Sequence, residues 1–337
     1  HTVTSRYIYF QGNPVSTLES YAFDDVTVTN NLHLSNMDFT VIPPRTFNQV
    51  TAYDLVMSGN TQLTSIEEEA FDVTITHSLD LSSNAIKVVR GKIFSNVSVV
   101  KELHLENNLI YYIDPDAFDG VTLTLINLDN NALLTLDSNL LSTQGSLKNL
   151  SMANNRLQQI PNGFLGSLVQ LGTLSLSGNL IEMVESTTFD NLASLEELDL
   201  SNNRIQFLAD GVFDGIKNNA KITIDLSGNP LACSCSMVTM MANLWNLTTI
   251  TGGECATPAQ AVGVSFVSSQ RNASNNYFLS VCPETFVCAP ENVQALASGQ
   301  NEITVSWTPP TSTYPSHPQF EMFTSGCSDT ATNSSFW

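Results

Sequence analysis

Apolar and polar residues alternate along this chain in short bursts that return at a fixed spacing. A burst reads Leu-x-Leu-x-x-Asn-x-Ile at Leu79-x-Leu81-x-x-Asn84-x-Ile86, Leu103-x-Leu105-x-x-Asn108-x-Ile110, Leu174-x-Leu176-x-x-Asn179-x-Ile181 and Leu198-x-Leu200-x-x-Asn203-x-Ile205. The Asn place is filled by Asn13, Met37, Asn60, Asn84, Asn108, Asn131, Asn155, Asn179, Asn203 and Asn229, at intervals of 24, 23, 24, 24, 23, 24, 24, 24 and 26 residues. The alternation predicts a short strand with one buried face, and the Asn marks the turn out of it. Ten copies at one period predict a stack of coils that share a continuous core. About ten residues after each Asn comes Phe23, Phe47, Phe71, Phe94, Phe118, Phe164, Phe189 or Phe213, with Leu141 in place of one ring. These predict an apolar spine on the far side of the coils. The return segments show little helical periodicity, so loops and short 3₁₀ turns are expected there.

Across residues 6–283 the repeat resembles the leucine-rich-repeat family, in its extracellular form of about 24 residues. The resemblance implies an α/β solenoid, a right-handed superhelix with a parallel concave sheet, over residues 1–229. It also implies that each Asn amide bonds backbone groups of neighbouring turns, a valuable arrangement because an unpaired buried polar group costs about 1–3 kcal/mol. Met37 lacks that amide and predicts a gap, with Asn36 one residue early as a partial substitute. Ile8-x-Phe10-x-x-Asn13 is already a full strand with no cysteine-bearing cap before it, so more repeats or a cap are expected to precede it.

The segment Asn229-Pro230-Leu231-Ala232-Cys233-Ser234-Cys235, followed by Cys255 and Cys282, looks like the C-terminal cap of such proteins, assigned to residues 230–283. The resemblance implies pairs Cys233–Cys255 and Cys235–Cys282, whereas spacing alone permits three pairings. Zinc is disfavoured, since Cys-x-Cys departs from zinc-ligand spacing and no paired His accompanies it. In residues 284–337, Ala289-Pro290-Glu291-Asn292-Val293 and Ile303-Thr304-Val305-Ser306-Trp307-Thr308-Pro309-Pro310 resemble the first two strands of a fibronectin type III sandwich. That predicts a small all-β segment about half the length of such a domain, within which Cys288 and Cys327 can pair.

Composition narrows the function. The chain has 32 acidic and 12 basic residues among 337, for a net charge of −20. Nucleic-acid binding needs Lys/Arg clusters and is set aside. No apolar run reaches the roughly 20 residues that span a bilayer, which leaves any membrane anchor outside this chain. All six cysteines fall in the last third of the sequence. Five sequons start at Asn96, Asn149, Asn246, Asn272 and Asn333. Together these point to an extracellular glycoprotein.

Residues six, four and two before each Asn place are expected on the concave face. Eight of these 30 positions are acidic (Asp54, Asp80, Glu102, Glu106, Asp129, Glu197, Asp199 and Asp225) and none is Lys or Arg. Simple proportion predicts about 3 acids, although a plainly solvated face also tolerates acids. Asp199 with Asp225, and Glu106 with Asp129, fall on adjacent strands, where like charges repel unless neutralised. A basic protein surface, or Ca²⁺ held with Ser201 or Ser227, would neutralise them; no other cofactor is indicated. Tyr7, Tyr9 and His33 add aromatic area at the N-terminal end, either a binding hot spot or a contact with a preceding repeat, and His104 lies among the acids. Asn149 would carry any glycan onto this face. His33, His77 and His104 lie near the inner sheet in different repeats, His1 and His317 lie outside the array, and no nucleophile elbow or phosphate loop occurs, so an enzyme is not expected. The reading is a recognition or adhesion module that binds a protein through the concave face. The alternative is a structural glycoprotein subunit that self-associates.

Overall fold

The structure is a computed structural model; it describes residues 3–216, 222–233, 249–257 and 262, with the backbone of 291–297 and 303–308. The leucine pattern does what its period demands. Each Leu-x-Leu places one strand per turn, and these pair in parallel: Ile8–Tyr9, Asn31–His33, the second half of Phe47–Val56, the second half of Phe71–Asp80, Glu102–His104, Leu125–Asn127, Asn149–Ser151, Thr173–Ser175, Glu197–Asp199 and Thr223–Asp225. Leu32, Leu55, Leu79, Leu103, Ile126, Leu150, Leu174, Leu198 and Ile224 share one register row and are all buried. An eleventh strand, Thr249–Thr251, continues the sheet with Ile250 opposite Ile224. The assigned cap region therefore supplies one more rung. No helix occurs among the described residues, so the solenoid there consists of strands and turns.

The asparagines form the predicted ladder. Asn108 is representative: its Nδ2 donates to Leu81 O of the preceding turn (2.9 Å) and Leu105 O of its own (3.0 Å), while Oδ1 accepts from Ile86 N (3.0 Å). Asn131, Asn155, Asn179, Asn203 and Asn229 repeat this three-way bond. At the predicted gap, Met37 is buried and its N–H donates to Asn60 Oδ1 (2.7 Å). Asn36 does not replace the missing amide. It takes the left-handed φ (55°) that recurs just before the Asn place in all ten turns, through Gly12, Gly59, Ser83, Asn107, Asn130, Asn154, Gly178, Asn202 and Gly228. Gly and Asn tolerate that conformation, so a turn requirement fixes Asn36.

The phenylalanines stack as a spine, with ring centroids 5.1 Å apart for Phe23–Phe47, 5.5 Å for Phe47–Phe71 and 6.2 Å for Phe94–Phe118. Near Leu141, where the row of rings is interrupted, Gln144 is fully buried; it donates to Phe118 O and Val121 O and accepts from Leu123 N. The return segments differ from the expected loops and 3₁₀ turns. In the first turns they form a further parallel ladder: Val3–Ser5 with Val26–Val28, then the first halves of Phe47–Val56 and Phe71–Asp80, then Val97–Ser98. Val26-Thr27-Val28, Val50-Thr51-Ala52 and Val73-Thr74-Ile75 alternate β-branched and outward-facing residues, which suits a strand as well as a loop. Later turns lack that alternation, and their return segments are hydrogen-bonded turns with two-residue parallel pairings such as Val88–Val89 with Tyr112–Ile113 and Met183–Val184 with Phe207–Leu208.

Cys233 and Cys255 form a disulfide, tying Leu231–Ala232 to the neighbouring Cys255–Thr257 strand. The pair expected at Cys235 and Cys282, and the one at Cys288 and Cys327, lie outside the described residues. A separate unit, residues 272–337, contains Glu291–Ala297 and Ile303–Thr308, which pair antiparallel.

Candidate functional site

The exposed side of the long sheet presents three rows of side chains per strand, and most of the site residues expected from sequence lie there. One cluster crosses three adjacent strands. His77 Nδ1 meets Asp54 Oδ1 at 2.9 Å, and its Nε2 lies 3.7 Å from Glu102 Oε1. The other oxygen of Glu102 lies 3.4 Å from His104 Nε2, and His104 Nδ1 is 3.7 Å from Glu106 Oε2. The result is a continuous line, Asp54–His77–Glu102–His104–Glu106. Asp80 stands beside His104 in register. The Glu106 carboxylate, aided by Glu102 and Asp80, raises the His104 pKa above the ordinary imidazole value, with burial opposing.

His104 and Glu106 fall at even offsets from the Asn place; His77, near the inner sheet by sequence, falls at an odd one. A bulge brings it into the line. Between Ala52 and Asp54 stands the single residue Tyr53; opposite it, Thr76 and His77 lie between Ile75 and Ser78. The extra residue re-aims its strand, and His77 comes to lie against Asp54 with its ring stacked on Tyr53 at 4.9 Å. The step from a 23-residue to a 24-residue repeat at Asn60 and Asn84 was the available signal.

At the N-terminal end Tyr7, Tyr9 and His33 stack in a row, with centroids 5.8 and 4.9 Å apart. Asn30 donates to Tyr7 Oη and the Arg6 guanidinium lies 5.3 Å from the Tyr7 ring centre. They form an exposed aromatic strip, distinct from the histidine–carboxylate line.

Farther along, Asp199 and Asp225 are opposite each other as expected. Each also braces its own turn: Asp199 Oδ1 accepts from Ser201 N at 2.9 Å and Asp225 Oδ1 from Ser227 N at 2.8 Å. Asp80 does the same for Ser82 N. Asp129 is bonded by Ser151 Oγ and Ala153 N of the next turn, both at 2.6 Å. These acids therefore have local work as hydrogen-bond acceptors as well as facing outward. Among the described residues no group of three or more His, Cys, Asp or Glu is arranged to hold a metal ion. Asn96 and Asn149 are exposed, Asn149 on the sheet face itself. Asn246, Asn272 and Asn333 lie outside the described residues. A depression of about 420 Å³ beside Asp72, Ser98 and Gly120 lies off the sheet face. No helix among the described residues is long and apolar enough to cross a membrane.

The leucine-rich-repeat family model matches residues 76–133 and 169–231. No curated protein matches the sequence. Among solved structures, the chain resembles one in the Toll–Spatzle complex of Drosophila at TM-score 0.59 and 19% identity, over 86% of this chain and 44% of that one. It thus spans less than half the length of that matched chain. A chain of the octameric complex of Latrophilin 3, Unc5D and FLRT2 is similar at TM-score 0.53 and 22% identity, over 77% and 87% of the two chains. Human 5T4, the trophoblast glycoprotein, is similar at TM-score 0.52 and 22% identity, over 77% and 92%. At these identities the likeness concerns the fold. Repeat sequence, strand register and asparagine ladder together give this chain a leucine-rich-repeat fold.

Proposed function

We propose that the chain is an extracellular recognition module that binds a protein partner through the exposed face of its long sheet. The observation that carries this reading is the chemistry of that face. It is an open, continuous parallel sheet with acids spread along it, no Lys or Arg at the 30 counted positions, and an aromatic strip at one end. Such a surface suits a large basic partner through charge complementarity, with aromatic anchors at the flank. The Cys233–Cys255 disulfide supports an oxidising compartment. Two of the similar structures are of multi-protein complexes.

A direct test screens the chain against a panel of extracellular proteins, then repeats each hit with Asp199→Lys/Asp225→Lys and with Tyr7→Ala/Tyr9→Ala. Binding weakened by either pair, with thermal stability retained, supports the face; hits indifferent to both pairs overturn it. The alternative is self-association through the same face, with the stacked Tyr7–Tyr9–His33 strip meeting a second copy. Light scattering across a concentration series separates it from binding to another protein.

A further inference from the structure

We propose that the line Asp54–His77–Glu102–His104–Glu106 is a pH-dependent charge switch that weakens the sheet face's hold on a basic partner when the medium turns mildly acidic. The inference rests on the reading of this face as a protein-binding surface and adds how that binding is regulated.

The geometry of the two rings carries the argument. Each imidazole has a carboxylate oxygen near both of its nitrogens: Asp54 and Glu102 for His77, Glu102 and Glu106 for His104. A neutral imidazole carries a single N–H. In that form one nitrogen of each ring turns a lone pair toward a carboxylate, an unfavourable contact. Protonation supplies the second N–H, and all four contacts become attractive. An independent observation agrees. Glu106 Oε2 is buried without a hydrogen-bond partner, and the nitrogen 3.7 Å away is His104 Nδ1. A protonated His104 gives that oxygen a cationic donor neighbour.

The surrounding groups point the same way. On the strand before His77, Tyr53 stacks on the ring and Asp54 also accepts from Ser78 N and Oγ. On the strand between the two rings' carboxylates, Asp80 faces His104. Beyond Glu106, Asp129 is held by the following turn. Lys101, exposed, is the basic residue next to the cluster, its backbone bonded to His77 O. Three carboxylates with two neutral imidazoles leave the line at −3; with both protonated it stands at −1. Imidazoles make this change between about pH 5 and 8, the interval in which carboxylates stay ionised.

The test uses the intact chain. Imidazole resonances are followed by NMR through the acid range in the wild type and in Glu106→Gln, while a lysine decapeptide serves as the cationic probe at about pH 7.5 and 5.5. The expected result is a His104 midpoint that falls in Glu106→Gln. Decapeptide affinity should drop roughly tenfold on acidification in the wild type, and far less in His77→Gln/His104→Gln. His77→Gln alone, at the more exposed ring, gives an intermediate drop and guards against misfolding of the double variant. A His104 midpoint indifferent to Glu106→Gln, or a pH effect that survives in the double variant, overturns the switch. A decapeptide that binds at neither pH, with the His104 midpoint behaving as expected, overturns the docking reading and not the coupled titration.

Discussion

The residue that holds the most structure together for its size is the ladder asparagine. Truncating Asn155 to Ala leaves Leu133 N without its acceptor, while Leu128 O and Met152 O each lose one donor and keep Asn131 Nδ2 and Asn179 Nδ2. An unsatisfied buried group costs about 1–3 kcal/mol, so Asn155→Ala should lose about that much in urea unfolding. Asn13→Ala is the control, because Asn13 is exposed and bonds Phe10 O of its own turn; it should change stability little. His104 gives a second prediction at this scale. Its folded pKa is raised, so its stabilising contribution is fully present below the unfolded imidazole value of about 6.5. That contribution is lost as pH rises through the folded value. Thermal melts of wild type and His104→Gln should therefore differ most in mild acid and converge at alkaline pH; a gap that widens with rising pH contradicts the assignment.

At the scale of the element, the turn that follows each strand sets the tolerance of the repeat. Gly178 has φ +65°, and a Cβ built there would meet the Asn154 side chain of the preceding turn. Gly59 stands in the same relation to Asn36 and Gly228 to Asn202. Gly178→Ala should destabilise by about 1–3 kcal/mol through left-handed strain and crowding together. In an Asn154→Gly background the crowding part disappears, so the measured cost should shrink; equal costs in both backgrounds would show that strain alone acts. The return-segment ladder belongs to this scale as well. It exists where Val-Thr-Val patterns happen to fall in register, and it stops after Val97–Ser98, where they end.

At the scale of the whole molecule, a solenoid couples each turn mainly to its neighbours, so its ends matter more than its middle. The Cys233–Cys255 bridge closes a loop with sequence separation 22. Loop-closure entropy puts its contribution at about 3 kcal/mol. Reduction, or Cys233→Ser/Cys255→Ser, should expose the last turns first. Hydrogen exchange should then rise around Thr223–Asp225 and Thr249–Thr251 while Leu103 and Leu150 stay protected. The net charge of −20 predicts that any basic partner binds more weakly as salt is raised.

The sequence by itself determined the coil, its period, the inward leucines, the ladder with its gap at Met37, and the Phe spine, because each is a local chemical demand repeated at one spacing. It also placed eight acids and no Lys or Arg at the outward positions. Only tertiary structure decided which of those acids also brace a turn: Asp199, Asp225 and Asp80 each accept from the backbone N–H two residues on, a matter of rotamer and turn geometry. It alone brought His77 to the face, since a one-residue bulge changes which way a side chain points without disturbing the leucine pattern. The histidine–carboxylate line is likewise assembled across strands whose residues lie far apart in the chain, and register, fixed by the buried leucines, is what joins them.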